Sequence, residues 1–397
     1  MIPNTPPGSV LPECGALVVI LLLAAGLRFH HLGQAPLWYD EQTQYAVARE
    51  STVSGIWRAG LRNGPLGAAD YLANAASLRL VGETRTGLRA AQACFGVLAV
   101  LATFLLARRW LDVRAALVAA ALLSVHGVHI QFSREARPYA LLTLTAVLVA
   151  LAFDGLVRSR SKLAFSALAG AALLLLLVHP CGVFVCAGLG LGALAAVVCR
   201  AKPSPETRWA PAAAWSAVAM SGGAFLAYAL WWHWQAPVPL AHDKASESFI
   251  ADTLHVYKAL IGGYWGASAY AVMLACFAGC VAGLKCTAWR WPVLLSLAIG
   301  LLAVVPALLC YRSGIMINTR YSLFAMPFVC ILSAAGIEQC CRVAGSTLCG
   351  RLTFRQAMLA PALALLLLGL ALVQHRSPYD LETWKATNPT LPTLEIP

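Results

Sequence analysis

Trp38-Tyr39-Asp40-Glu41 sets two adjacent carboxylates just beyond the first long apolar run, Gly15–Phe29. Ionised groups are costly beside a hydrocarbon layer, so their presence there asks for a use. The stretch Glu41–Glu50 that follows is polar and reads as a short helix. Acids in a first turn are favoured by the helix dipole, so a plain amino-terminal cap is one reading. The other is chemical. A carboxylate at a membrane surface can take a proton from an acceptor hydroxyl, which is worth about 10²–10⁴ in rate.

The surroundings of this pair decide the fold class. The chain has 397 residues, 60% of them hydrophobic and 12% charged. Soluble domains run near a quarter charged, so the balance indicates a polytopic membrane protein. After Gly15–Phe29, apolar runs recur near 89–107, 115–132, 138–157, 163–179, 182–199, 211–232, 266–284, 292–310, 321–337 and 357–374. Each approaches the roughly 20 residues that cross a ~30 Å hydrocarbon layer, which predicts an all-α fold of about eleven transmembrane helices. Without a basic n-region, the first run reads as an uncleaved span. One membrane domain is expected over residues 1–397: a first span at 15–33, an outer loop at 34–89, the remaining spans at 89–374 and a short outer tail at 375–397.

Arg108, Arg109, Arg114, Arg158, Arg160, Lys162, Arg200, Lys202, Arg208, Lys285, Arg290, Arg342, Arg351 and Arg355 all fall on one side of this topology. By the positive-inside rule that side is the cytoplasm. The amino terminus is then cytoplasmic, and Asp40-Glu41 face the periplasm or the outside of a bacterial inner membrane. The net charge of +12 is largely accounted for by these loops. A nucleic-acid partner would need a basic face on a soluble element, and none is present. Most of the 13 cysteines lie inside apolar runs, where Cys behaves as a small hydrophobe rather than a metal ligand. Cys276-x3-Cys280 reads as a small-residue packing face.

The loop 34–89 is too polar to cross the bilayer. Val53, Ile56, Trp57 and Leu61 recur at helical spacing, which predicts an amphipathic helix lying in the membrane interface. A second is read over Gly67–Leu80. The outer loop 233–264 is introduced by Trp231, Trp232 and Trp234, an aromatic belt.

Against the charge bias, Arg134, Arg137, Arg312 and Arg320 lie on the outer side. Arg134 and Arg137 precede Pro138-Tyr139, where Pro suits a helix start. Arginine at a helix amino terminus opposes the dipole, which makes sense where an anion sits between, since helix N–H groups and guanidinium forks both bind phosphate. Snorkelling to headgroups, or pairing with Glu135, is the plainer alternative. Asn318-Thr319-Arg320-Tyr321 repeats the arrangement. His179-Pro180 breaks an apolar run and reads as a turn, with His179 a candidate substrate contact. Tyr39, Pro65, Tyr139 and Tyr321 are further candidate contacts.

Asp40-Glu41, Gly64-Pro65-Leu66, Arg89, SREARPYALL at 133–142 and RYSLFAMP at 320–327 together resemble the GT-C membrane glycosyltransferases. Within them the protein O-mannosyltransferase and aminoarabinose transferase group (glycosyltransferase families 39 and 83) is most similar. The resemblance covers residues 15–180 well and the rest by layout. It implies a GT-C-type helical bundle with amphipathic helices in the first outer loop. It also implies transfer of a monosaccharide from a polyprenyl-phosphate donor to a glycan, lipid or protein hydroxyl. The first-loop acid that serves as base maps onto Asp40, with Glu41 its neighbour. Arginines near the donor phosphate map onto Arg134, Arg137 and Arg320. Some relatives carry an acid before the Pro-Leu motif that helps hold a metal. Arg62-Asn63-Gly64-Pro65-Leu66-Gly67 lacks it, so no cofactor is expected. Two rival functions remain at this point: a flippase or transporter of lipid-linked sugars, and an oligosaccharide ligase or polymerase.

Overall fold

The structure, a computed structural model, describes residues 10–62, 68–159, 161–198, 274–281, 290–306 and 319–348, with residues 216, 223 and 260. The expected spans at 211–232 and 357–374, most of 266–284 and of the outer loop 233–264, Gly64-Pro65-Leu66, Arg312 and the tail lie outside the described residues. Among the described residues the chain is helical, without strands.

Helix α1 (Val10–Phe29) is the first apolar run. It ends in turns through His31, which takes a left-handed φ of 53°. Helix α2 (Tyr39–Ala48) carries Asp40 and Glu41 in its first turn, and Glu41 Oε2 accepts the Trp38 N–H (3.4 Å), one half of a capping box. Helix α3 (Val53–Arg62) is the amphipathic helix expected from periodicity. Helix α4 (Ala68–Val81) forms where the second was read but is not amphipathic, since its apolar residues gather on no one face and Asp70, Asn74 and Ser77 are among the side chains it buries. Leu37, Tyr45, Val47, Ile56, Tyr71, Ala75 and Leu78 bury against one another and against Leu88 and Ala136, giving the segment between α1 and the next long helix a small core of its own. Full burial of a side chain such as Ile56 is worth about 1.5–3 kcal/mol.

Gly82, at φ +109°, closes α4 in a conformation that favours glycine. Thr84 then opens α5 (Arg85–Trp110) by accepting the Gly87 N–H at 3.0 Å. Asp112 caps α6 (Val113–Ser124) in the same way. The apolar run 115–132, expected as one span, is two helices: α6 and α7 (Gly127–Ser133) meet at a bend of 61°. A buried break leaves carbonyls at the end of α6 without helical partners. Arg28 of α1 supplies them, donating from Nη1 to Ser124 O (3.0 Å) and from Nη2 to Leu123 O (3.4 Å). The same guanidinium donates to His129 Nδ1 (2.7 Å).

Helix α8 (Tyr139–Ser159) runs alongside α5, α9 (Lys162–Val178) returns, and a 3-10 turn at Pro180–Gly182 leads into α10 (Val183–Val198). Helix α11 (Arg290–Leu302) crosses α10 closely, because a Cβ at Gly188 or Gly192 would meet the backbone of Ile299 or Leu295 at 2.9 Å or less. A 3-10 stretch, Thr319–Ala325, precedes α12 (Met326–Leu348), which packs on α6 and α11. Three described helices are long and apolar enough to cross a membrane, or four if the bent pair forms one span.

The topology sorts the charges. Helices α5, α8 and α12 all begin near α2 and end at the opposite pole. There Arg109 and Arg158 meet Asp154, and Arg342 meets Asp112 and Glu338. The loop cations assigned to one side from sequence therefore gather, where described, at the end away from Asp40.

Candidate active site

Asp40 and Glu41 are neighbours on α2, and one residue of rotation sends them to different places. Glu41 points inward and is fully buried. Arg89, one turn into α5, grips it as a fork, Nε donating to Oε1 (2.8 Å) and Nη2 to Oε2 (2.6 Å). Arg89 Nη1 also donates to Leu32 O and Ala35 O, and Nη2 to Pro36 O. All five guanidinium N–H groups are thereby used. Glu41 Oε1 further accepts the Ala136 N–H at 2.8 Å. This pair ties α2, the end of α1, α5 and the segment before α8 into one unit, and leaves Glu41 no capacity for chemistry.

Asp40 is different. Its side chain is 22% exposed, and its Oδ2 lies 3.3 Å from Arg137 Nη2 and 3.2 Å from Arg320 Nη1. The two arginines are the more buried partners, at 11% and 18%. Both cations converge on one oxygen, and among the described residues no hydrogen bond reaches Oδ1. Positions 40, 137 and 320, far apart in sequence, meet because α2, the turn before α8 and the 3-10 stretch before α12 end at the same pole. The Arg320 guanidinium lies over three rings, 5.8 Å from the centroid of Trp38, 5.8 Å from Tyr139 and 5.4 Å from Tyr321. Arg137 lies 5.9 Å from the ring of Tyr139. His179 adjoins Tyr139 and Tyr321, with ring centroids 5.9 and 5.8 Å apart.

Of the residues singled out from sequence, Asp40, Arg137, Arg320, Tyr139, Tyr321 and His179 come together. Arg134 turns elsewhere. It follows the last residue of α7 rather than opening α8, and it donates to Leu27 O (3.2 Å) and His31 O (3.3 Å), anchoring the end of α1. The dipole argument for an anion at Arg134 fails, because it occupies a helix carboxyl end, where cations are favoured. Tyr39 is exposed on the outer face of α2, and Pro65 lies outside the described residues.

Several buried polar groups near the centre escaped the sequence reading. Asp70 of α4 accepts from Gln44 Nε2 (2.6 Å), Gln44 Oε1 accepts from Asn74, and Asn74 Oδ1 accepts from Gln92. Burial raises the Asp70 carboxyl to about 6, with Arg137 and Gln44 opposing the rise. Glu135, whose Oε1 accepts from Gln131, is raised to about 8 by burial and by the nearby Glu41 charge. Gln44 lies one helical turn beyond Asp40, a spacing that marks a shared face. For Arg89 the signal lies in the sequence: a charge inside an apolar helix needs a buried partner. Among the described residues no group of three or more His, Cys, Asp or Glu side chains is arranged to hold a metal.

Residues 68–232 match the family described as dolichyl-phosphate-mannose-protein mannosyltransferase. No curated protein matches the chain. Among solved structures, ArnT from Cupriavidus metallidurans bound to undecaprenyl phosphate is 17% identical, with a TM-score of 0.56 over 93% of this chain and 72% of that one. The same protein in its apo state gives 18% identity and a TM-score of 0.55 over 85% and 61%. The archaeal oligosaccharyltransferase AglB from Archaeoglobus fulgidus, in complex with an inhibitory peptide and a dolichol-phosphate, gives 14% and 0.52, covering 95% of this chain and 58% of its own. At these identities the likeness is one of fold, and the chain spans about three fifths of the length of AglB. The family match spans less than half of the chain, 68–232, and the solved structures extend the likeness as a shared helical fold, that of ArnT and AglB.

Proposed function

We propose that the protein transfers a monosaccharide from a polyprenyl-phosphate donor to an acceptor hydroxyl at the outer face of a bacterial inner membrane, with Asp40 as general base. The observation that carries this reading is the Asp40 centre itself. One carboxylate oxygen is held by the buried Arg137 and the half-buried Arg320 while the other is left to accept a proton. In the proposed step the acceptor O–H gives its proton to Asp40 Oδ1 as its oxygen attacks the anomeric carbon. The bond from that carbon to the phosphate oxygen breaks, and the electron pair leaves with the lipid phosphate. Arg137 and Arg320 offset the charge growing there, the electrostatic contribution that is usually largest in such sites. A single displacement with an oxocarbenium-like transition state inverts the anomeric configuration.

Two features support the donor class. ArnT and AglB, which share the fold, are described with undecaprenyl phosphate and a dolichol-phosphate respectively. The gathering of Arg109, Arg158 and Arg342 at the opposite pole agrees with an outward-facing Asp40 under the positive-inside rule. The test is to incubate detergent-purified protein with radiolabelled polyprenyl-phosphate sugars and membrane extract. Label should move to an acceptor fraction as free lipid phosphate appears, with inverted linkage. Donor that remains intact but crosses the bilayer of a proteoliposome would replace transfer with transport.

A further inference from the structure

The two guanidinia at Asp40 do not exhaust the donors in this wall. His179, which closes α9, is 3% exposed. Its Nδ1 accepts the Cys181 N–H at 3.2 Å, which puts the proton of the neutral ring on Nε2. That Nε2 is buried and, among the described residues, has no hydrogen-bond partner. A buried donor without an acceptor is costly to maintain, and in a native site it asks for an explanation. The ring sits beside Tyr139 and Tyr321, the rings that also flank Arg320. Two further N–H groups in the same wall, Trp38 Nε1 and Arg137 Nε, are likewise buried without partners among the described residues. Three unmet N–H donors around two cations fit a ligand with several acceptor oxygens and negative charge.

We infer that His179 is a substrate-contact residue whose Nε2–H donates to a phosphate oxygen of the lipid-linked donor, a neutral partner beside Arg137 and Arg320. The inference rests on the lipid-phosphate reading above. Neutrality suits the position, since a third cation there would repel both arginines. With Nδ1 accepting from Cys181, the neutral ring keeps one proton, on Nε2, and one acceptor nitrogen. The acceptor nitrogen is committed to Cys181, which orients the ring as a fixed donor.

The experiment measures binding of sugar-free undecaprenyl phosphate to the full-length protein in detergent. His179→Phe removes the donor and keeps a buried ring, and His179→Gln restores an N–H at similar reach. A hydrogen bond to a charged group is worth about 10- to 100-fold in Kd. The phenylalanine variant should therefore bind at least about tenfold more weakly, with substantial recovery in the glutamine variant and little change in melting temperature. His179→Met carries the same comparison if the phenylalanine variant is not recovered folded. Unchanged affinity in His179→Phe, while Arg320→Gln loses binding, overturns the inference and leaves the donor reading standing. A loss seen only with sugar-bearing lipid moves the contact to the sugar and also overturns it. Wild-type protein that binds no lipid phosphate removes the donor reading and this inference together.

Discussion

Each pole of the bundle holds one carboxylate between two arginines, and the two sites have opposite designs. At one pole Asp154 lies 3.5 Å from Arg109 and 2.8 Å from Arg158, and accepts from Trp110 Nε1 at 3.1 Å. There the acid is buried, at 4%, and the arginines are open to solvent, at 47% and 57%. Their remaining N–H groups reach the carbonyls of Leu151 and Arg109. At the other pole Arg137 is buried and Arg320 half-buried, the acid is the more accessible partner, and neighbouring donors go unmet among the described residues. A carboxylate buried behind exposed cations is a clamp between helices. Enclosed cations behind a more accessible carboxylate suit the lipid-phosphate anion proposed above.

The largest effect that would test the contrast is at Asp40. Asp40→Asn should lower transfer by about 10²–10⁴ with a fall in melting temperature smaller than that of Glu41→Ala, since Asp40 is part-exposed, read by product formation and thermal unfolding of the same preparation. Glu41→Ala, one residue away, should act through folding instead. Removing one member of a buried pair leaves the other charge uncompensated, at a cost of about 3–5 kcal/mol, seen as a large fall in melting temperature or in recovered protein. Asp154→Asn should cost less, about 1–3 kcal/mol, and leave the per-molecule rate of the folded fraction intact. A collapse of transfer in that variant would erase the distinction between the poles.

The smallest predicted effect is one of pH. Glu135 is raised from 4.5 to about 8 in the folded protein, so the fold favours its protonated form. Stability linked to it is fully present below pH 4.5, and declines as pH rises through about 8. Asp70, raised from 3.8 to about 6, acts with the same sign over a lower window. Glu135→Gln should flatten the upper part of the melting-temperature profile between pH 6 and 8.5, by on the order of 1 kcal/mol.

Local pattern carried much of the fold. Val53, Ile56, Trp57 and Leu61 locate α3 within a residue, and the apolar runs locate α5, α8, α9 and α10 to within a few residues, because each signal lies inside its own helix. The break between α6 and α7 was not legible. The run stays apolar across it, and what stabilises the bend is Arg28, about a hundred residues away. The site shows the same division. Asp40 stood out as an acid in a costly place, and Arg137 and Arg320 as cations against the charge bias. Nothing local separated Arg137 from Arg134, three residues earlier, since only tertiary placement turns one toward Asp40 and the other toward Leu27 and His31. Likewise Glu41 differs from Asp40 through Arg89, a partner 48 positions away.

The most direct measurement compares Asp40→Asn with Glu41→Gln in purified, folded protein supplied with a labelled polyprenyl-phosphate sugar and membrane acceptor. The account predicts that the Asp40 variant keeps its fold and loses transfer by at least about 10². The glutamine at 41 should lower thermal stability while its folded fraction still turns over. Undiminished transfer by a folded Asp40→Asn protein would contradict it.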